Sequence, residues 1–189
     1  MSDKTKWPWA DADLVAKSIV AQLAFYCERI EAVGSVRRRK PHVGDVEVLF
    51  IPRLEDRQTD MFSTEPYDLA HERIETLRAT GWLAKRLNVN GMVAGWGPKN
   101  KLAVHVESGM PVDLFSTTPS CWFSSLVCRT GGKDTNLALT NGANKLNRTW
   151  HVYGEGVEDR KTGLVTAARS EREVFELCGV PYLEPEERR

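Results

Sequence analysis

The run GSVRRRKPHVGDVEVLFIP, residues 34–52, places two acids inside an apolar, strand-like segment. Residues 43–51 read as a buried strand, and Pro52 closes it because proline cannot donate to a ladder. Alternate residues of a strand point to opposite faces. Val46, Val48 and Phe50 therefore fill one face, while Asp45 and Glu47 share the other. Two buried carboxylates are costly unless something neutralises them. Asp113 sits in the same context, between Pro111-Val112 and Leu114-Phe115. If the two strands are neighbours, three carboxylates converge at one edge of a sheet and repel one another. A hard divalent ion with oxygen ligands, most naturally Mg²⁺, is the economical counter-charge.

The residues just upstream supply the complement. Gly34-Ser35 offers backbone N–H groups and a hydroxyl in a tight turn, a fair anion nest. Arg38 follows three residues after Ser35, within reach of the same anion. A metal site beside an anion cradle describes phosphoryl or nucleotidyl transfer. Taken singly, the glycine-serine pair and the cationic run Arg37-Arg38-Arg39-Lys40 are ordinary surface text. Their conjunction with Gly44-Asp45-x-Glu47 at short offsets is not.

Around this run the periodicity predicts a helix capped by Asp11 or Asp13 and running to about residue 31, with Val15, Ile19, Leu23, Cys27 and Ile30 on one stripe. Residues 53–65 read as an exposed polar loop, and a second helix is expected over about 66–80. Short strands over 83–89, 102–106 and 111–116 follow, with turns between them. Helices alternating with strands predict an α+β layer in which helices cover a mixed sheet. From Pro119 the pattern changes to helical pieces over 120–129 and 133–141, and a capping box, Ser170-x-x-Glu173, starts a later helix. The division expected is residues 1–118 and 119–189, closely packed.

Composition excludes little else. With 189 residues, 41% of them hydrophobic and 28% charged, the chain is an ordinary globular protein with material for one ample core. The 26 basic and 26 acidic side chains cancel, so global charge does not hold it to nucleic acid. No apolar run reaches the ~20 residues that span a bilayer. The first residues carry acids and lack an apolar signal core, so a cytoplasmic protein of bacterial or viral origin is expected. Cys27, Cys121, Cys128 and Cys178 show no metal-ligand spacing and read as reduced thiols. His42, His71, His105 and His151 are scattered and form no ligand set. Trp96, in the turn GWGPKNK, reads as packing on its own sheet rather than stacking on a base.

Gly34-Ser35-Val36-Arg37-Arg38 followed by Gly44-Asp45-Val46-Glu47 resembles the signature of the DNA polymerase X family, the polymerase beta-like nucleotidyltransferases. Asp113 is similar to the family's third carboxylate. Residues 121–156 and the tail PYLEPEERR resemble its thumb, so the likeness spans about residues 6–189. It implies a palm followed by a small thumb of helices and short strands, a form without lyase or helix-hairpin-helix domain. It also implies an enzyme, a small monomeric DNA polymerase acting in gap filling or repair. Asp45, Glu47 and Asp113 would be catalytic, holding two Mg²⁺ ions, or Mn²⁺ in their place. Ser35, Arg38 and Gly44 would hold the triphosphate of a dNTP or NTP, with Lys6 as a further phosphate-binding cation. Gly131 would lie beside the nucleotide's sugar and Asn136 at its base edge, while Lys133 and Arg148 would track primer/template or gapped DNA. Three departures stand out. Glu47 replaces the usual Asp, Cys128-Arg129 replaces an aromatic pair, and Thr140 stands where many members carry an arginine that contacts template. Template-independent transfer to a nucleic-acid end or a small molecule, and a non-catalytic nucleic-acid-binding module, remain the alternatives.

Overall fold

The structure, a computed structural model, describes residues 5–58 and 63–189. A two-residue strand β1 (Trp7–Pro8) leads into helix α1 (Trp9–Leu23), which buries Ala12, Val15, Ala16, Ile19 and Leu23. Neither Asp11 nor Asp13 caps it. Asp11 lies in the first turn after Pro8, and Asp13 pairs with Lys17 at 2.6 Å. The helix is also shorter than its apolar stripe predicts. It tightens through a 3₁₀ turn at Ala24–Tyr26, and Cys27 opens strand β2 (Cys27–Val33). Tertiary pairing overrides the local pattern there, since Ile30 and Val33 gain ladder partners that a longer helix would deny them.

Gly34 then starts a one-turn helix, α2 (Gly34–Arg37). The strand expected over residues 43–51 is divided at Gly44-Asp45. Its first piece, β3 (His42–Val43), pairs with β1, and the second, β4 (Val46–Pro52), enters the main sheet. The polar stretch that follows is not a loop. Strands β5 (Leu54–Gln58) and β6 (Thr64–Asp68) form an exposed antiparallel pair, which no apolar alternation marks in the sequence. Residues 59–62, within that expected loop, lie outside the described residues. Pro66 and Tyr67 belong to β6, so helix α3 (Leu69–Ala79) begins later than expected, capped by Asp68 accepting from the His71 N–H at 2.8 Å.

Strands β7 (Leu83–Lys85), β8 (Asn100–His105) and β9 (Met110–Ser116) complete a five-stranded sheet in the order β2-β4-β9-β8-β7. Only β4 and β9 are parallel, so the sheet is mixed. Val46, Val48 and Phe50 of β4 and Val112 and Leu114 of β9 join Val15, Ile19, Ala70, Ile74 and Leu77 in one core beneath α1 and α3. On the opposite face, Val33, Leu49, Ile51 and Phe115 pack against Trp122 and Leu126 of helix α4 (Trp122–Thr130).

Helix α5 (Lys133–Lys145) runs past its expected end. Its Gly142 approaches the Cys178 carbonyl so closely that no Cβ would fit, which is why a glycine is tolerated inside a helix. Strands β10 (Arg148–His151), β11 (Gly156–Asp159) and β12 (Val165–Thr166) form a small antiparallel sheet. Helix α6 (Glu171–Leu177) starts as its capping box predicts, with Ser170 Oγ accepting from the Glu173 N–H at 3.1 Å. Val127, Leu139, Trp150, Val157, Val174 and Phe175 make a second core here. The architecture is α+β throughout. Among the described residues no helix is long and apolar enough to cross a membrane.

Candidate active site

The dry core under α1 and α3 locks the register of β4 on β9, and that register sets Glu47 opposite Asp113 on the other face. Two positions further along, the same face turns apolar with Leu49 and Phe115, covered by α4. Asp45 stands just before β4, half-buried, after Gly44. The three acids feel one another. Burial pushes the Glu47 carboxyl up to about 7, and the charges of Asp45 and Asp113 push the same way against Arg129 and Arg38. Burial likewise raises Asp113, helped by Asp45 and opposed by Arg86 and Arg129. Glu47 lies directly over Gly34, where a Cβ would collide with its carboxylate. The φ of +63° at Gly34 independently demands glycine.

Two arginines face the acids. Arg86 Nη1 lies 2.8 Å from Asp113 Oδ1, although that buried oxygen accepts no hydrogen bond, so the contact is an ion pair off hydrogen-bond geometry. Arg129 is held flat, its guanidinium carbon 3.4 Å from the Phe115 ring centre and 4.9 Å from that of Tyr153. Beside it a cavity of about 570 Å³ runs between α4 and the ends of β4 and β9, lined by Leu49, Lys99, Phe115, Ser125 and Tyr153 among others. Sequence reasoning missed Arg86 altogether, because nothing in a polar stretch after β7 signals a partner 27 positions away.

Among the described residues, no group of three or more His, Cys, Asp or Glu side chains stands arranged to hold a metal ion. The donor set nevertheless fits one. Three hard oxygen donors lie together, two of them, Glu47 and Asp113, disfavoured as anions by burial and by neighbouring acid charge, a field that a divalent cation relieves, and Asp113 Oδ1 is buried without a hydrogen bond.

The cradle residues are arranged differently from expectation. Ser35 is half-buried in α2, and Gly44 has open space around it. Arg38, expected on an anion, instead donates to the Thr130 carbonyl at the end of α4, with its Nε buried and unpartnered. Burial lowers its pKa, with Glu47 and Asp45 opposing and Arg188 assisting. Arg37 spans the same gap. It donates to Thr130 Oγ1 at 2.7 Å and, bidentately, to Glu171 at 2.7 and 2.8 Å. Arg188, fully buried, reaches Glu171 at 2.8 Å and the Leu183 carbonyl at 3.0 Å. Burial tends to raise the Glu171 carboxyl, yet these two guanidinium groups hold it below its ordinary value. The arginine run is thus a clasp between α2 and the C-terminal part, a role its sequence did not suggest.

Gly131 ends α4 and has no room for a Cβ against the Asn136 amide. Asn136 donates to the Cys128 carbonyl at 2.9 Å, leaving its Oδ1 buried and unpartnered. Lys133 is exposed at the start of α5, and Lys6 is exposed just ahead of β1, whose partner β3 precedes Gly44. Arg148 is spent internally, donating to the Leu177 carbonyl at 2.8 Å, because the last turn of α6 leaves that acceptor open. Trp96 packs on the core under α1 and α3 and donates to Glu75 at 2.6 Å. All four cysteines are free.

Residues 125–189 match the family model described as DNA polymerase beta thumb. The fold superposes on two structures of Leishmania infantum polymerase beta. With its ternary P/T complex the TM-score is 0.73 at 17% identity, over 98% of this chain and 77% of that one. With its ternary gap complex the TM-score is 0.75, again at 17% identity, over 97% and 71%. The fold of the chain is like that of polymerase beta. No curated protein matches it. That fold accounts for the position of the acids, since it is the mixed sheet that carries Glu47 and Asp113 side by side.

Proposed function

We propose that the protein is a small DNA polymerase that transfers a nucleotide from a nucleoside triphosphate to a primer 3′-hydroxyl, in gap filling or repair. One observation carries this reading: Glu47 is in register with Asp113, next to the Gly34-Ser35 turn. In this reading residues 1–118 are the palm and 119–189 the thumb. Asp45, Glu47 and Asp113 would hold two Mg²⁺ ions, which when bound neutralise phosphate charge and favour the ionised 3′-hydroxyl. Ser35, the backbone at Gly44 and Lys6 would hold the triphosphate. Arg38 would join them by exchanging the Thr130 carbonyl for a phosphate oxygen, a charge-assisted and stronger acceptor. Gly131 would lie beside the sugar of the nucleotide, and Asn136 Oδ1 is an acceptor still without a donor. Lys133 would meet the nucleic-acid backbone. Arg148 would not, since it is committed to Leu177.

Template-independent addition is the second reading, favoured by one feature. Thr140 bonds back to the Asn136 carbonyl at 2.9 Å and extends no cation from α5. Extension of a labelled primer separates the two, with and without template, using each nucleotide singly under Mg²⁺ or Mn²⁺. Correct-base preference only with template supports the first reading, and indifference to template supports the second. No incorporation under any of these conditions would overturn both.

A further inference from the structure

Arg86, the residue just after β7, lines up with Leu102 of β8 and Asp113 of β9. Leu102 pairs with Asp113, and the Arg86 N–H donates to the Leu102 carbonyl at 2.9 Å. Residues in such a row point to the same face. The Arg86 side chain therefore crosses Leu102 and places Nη1 2.8 Å from Asp113 Oδ1. The backbone of Arg86 is pinned on both sides, since its carbonyl also accepts from Ala94 N–H at 2.8 Å. Its guanidinium has no such anchor. Among the described residues Asp113 is the one ion-pair partner of this guanidinium, and a quarter of the side chain is open to solvent (26%). Arg129 is the contrast, because rings on two sides hold its guanidinium in place. Arg129 is thus built in beside the acids, and Arg86 is merely parked there.

We propose that Arg86 is a displaceable counter-ion of Asp113, neutralising the carboxylate in the ion-free protein and leaving it when a divalent cation binds. This rests on reading Asp45, Glu47 and Asp113 as metal ligands. A guanidinium and a divalent ion at the same buried oxygen repel each other and compete for its charge, so metal loading and arginine release are coupled. Removing the guanidinium's charge leaves a more negative site, which attracts a cation more strongly.

Mn²⁺ binding to the whole protein, followed by electron paramagnetic resonance without nucleotide or DNA, tests the exchange. Arg86→Gln is expected to bind Mn²⁺ about tenfold more tightly than the native protein, and Arg86→Met, which keeps the stem without charge, equally so. Arg86→Lys should return affinity toward the native value. Asp113→Asn should bind more weakly than the native protein. If Asp113→Asn weakens binding while neither neutral Arg86 variant tightens it, the exchange is wrong and the ligand reading survives. If Asp113→Asn binds Mn²⁺ as the native protein does, the ligand reading fails and takes the exchange with it.

Discussion

Val46, Val48 and Phe50 leave β4 on the side covered by α1 and α3, in a core with no charge. Glu47, one position from Val46 and Val48, leaves on the other side among Asp45, Asp113, Arg38 and Arg129. The same seven-residue strand thus carries the most permissive and the least permissive surroundings for a charge. The difference teaches how an unfavourable cluster is held. The dry face under α1 and α3 fixes the register. On the other face, wet at the acids, Leu49 and Phe115 under α4 add burial further along, and the acids inherit the geometry that both cores set.

Asp113→Asn should remove the wet face's function and leave the dry face alone. Incorporation should fall by several kcal/mol of transition-state stabilisation, about 10³- to 10⁴-fold, in a primer-extension assay. Its urea midpoint should not drop, and an undiminished rate would break the assignment. Phe50→Ala should do the reverse, costing about 3–5 kcal/mol in denaturant titration through lost burial and the cavity left behind. Glu171→Gln tests whether the clasp behaves like either face. It leaves Arg37 and Arg188 facing a neutral amide and should cost about 3 kcal/mol, read from the same titration.

Glu47→Gln should stabilise the metal-free protein. A folded-state value of about 7, above the ordinary 4.5, means that the native state takes up a proton the unfolded chain releases. Native stability therefore falls as pH rises from about 4.5 to 7. The glutamine variant, lacking that loss, should gain about 2 kcal/mol at pH 8 in EDTA, with the gain vanishing by pH 4. A flat difference across pH would show that Glu47 is not strained by its neighbours. The smallest expected effect is Arg148→Gln, about 1 kcal/mol in stability with unchanged DNA affinity.

Legibility followed the same divide. The dry face could be read from strand periodicity, and with it the side on which Asp45 and Glu47 lie. That Asp113 is their neighbour was a conditional inference, since parallel pairing of β4 and β9 joins residues 66 positions apart. Cys27 and Ile30 extended the α1 stripe and concealed the start of β2, because an i, i+4 apolar spacing suits a helix even where pairing with β4 wins. Arg38 read as a phosphate-binding cation at the head of a basic run, yet Arg37 is bidentate to Glu171 and Arg38 turns to Thr130. Neither partner is visible within a local window.

By itself the sequence determined which residues could not be left in an ordinary core: Glu47 inside an apolar strand with Asp45 just ahead of it, and Asp113 in a second strand. Those are local consequences of strand alternation and of the cost of buried charge. Tertiary structure alone decided what neutralises them. Arg86 arrives across two strands, Arg129 is clamped by rings from β9 and the β10–β11 turn, and the arginine run is closed by α6. Counter-charge acts through space, over distances that sequence separation does not measure.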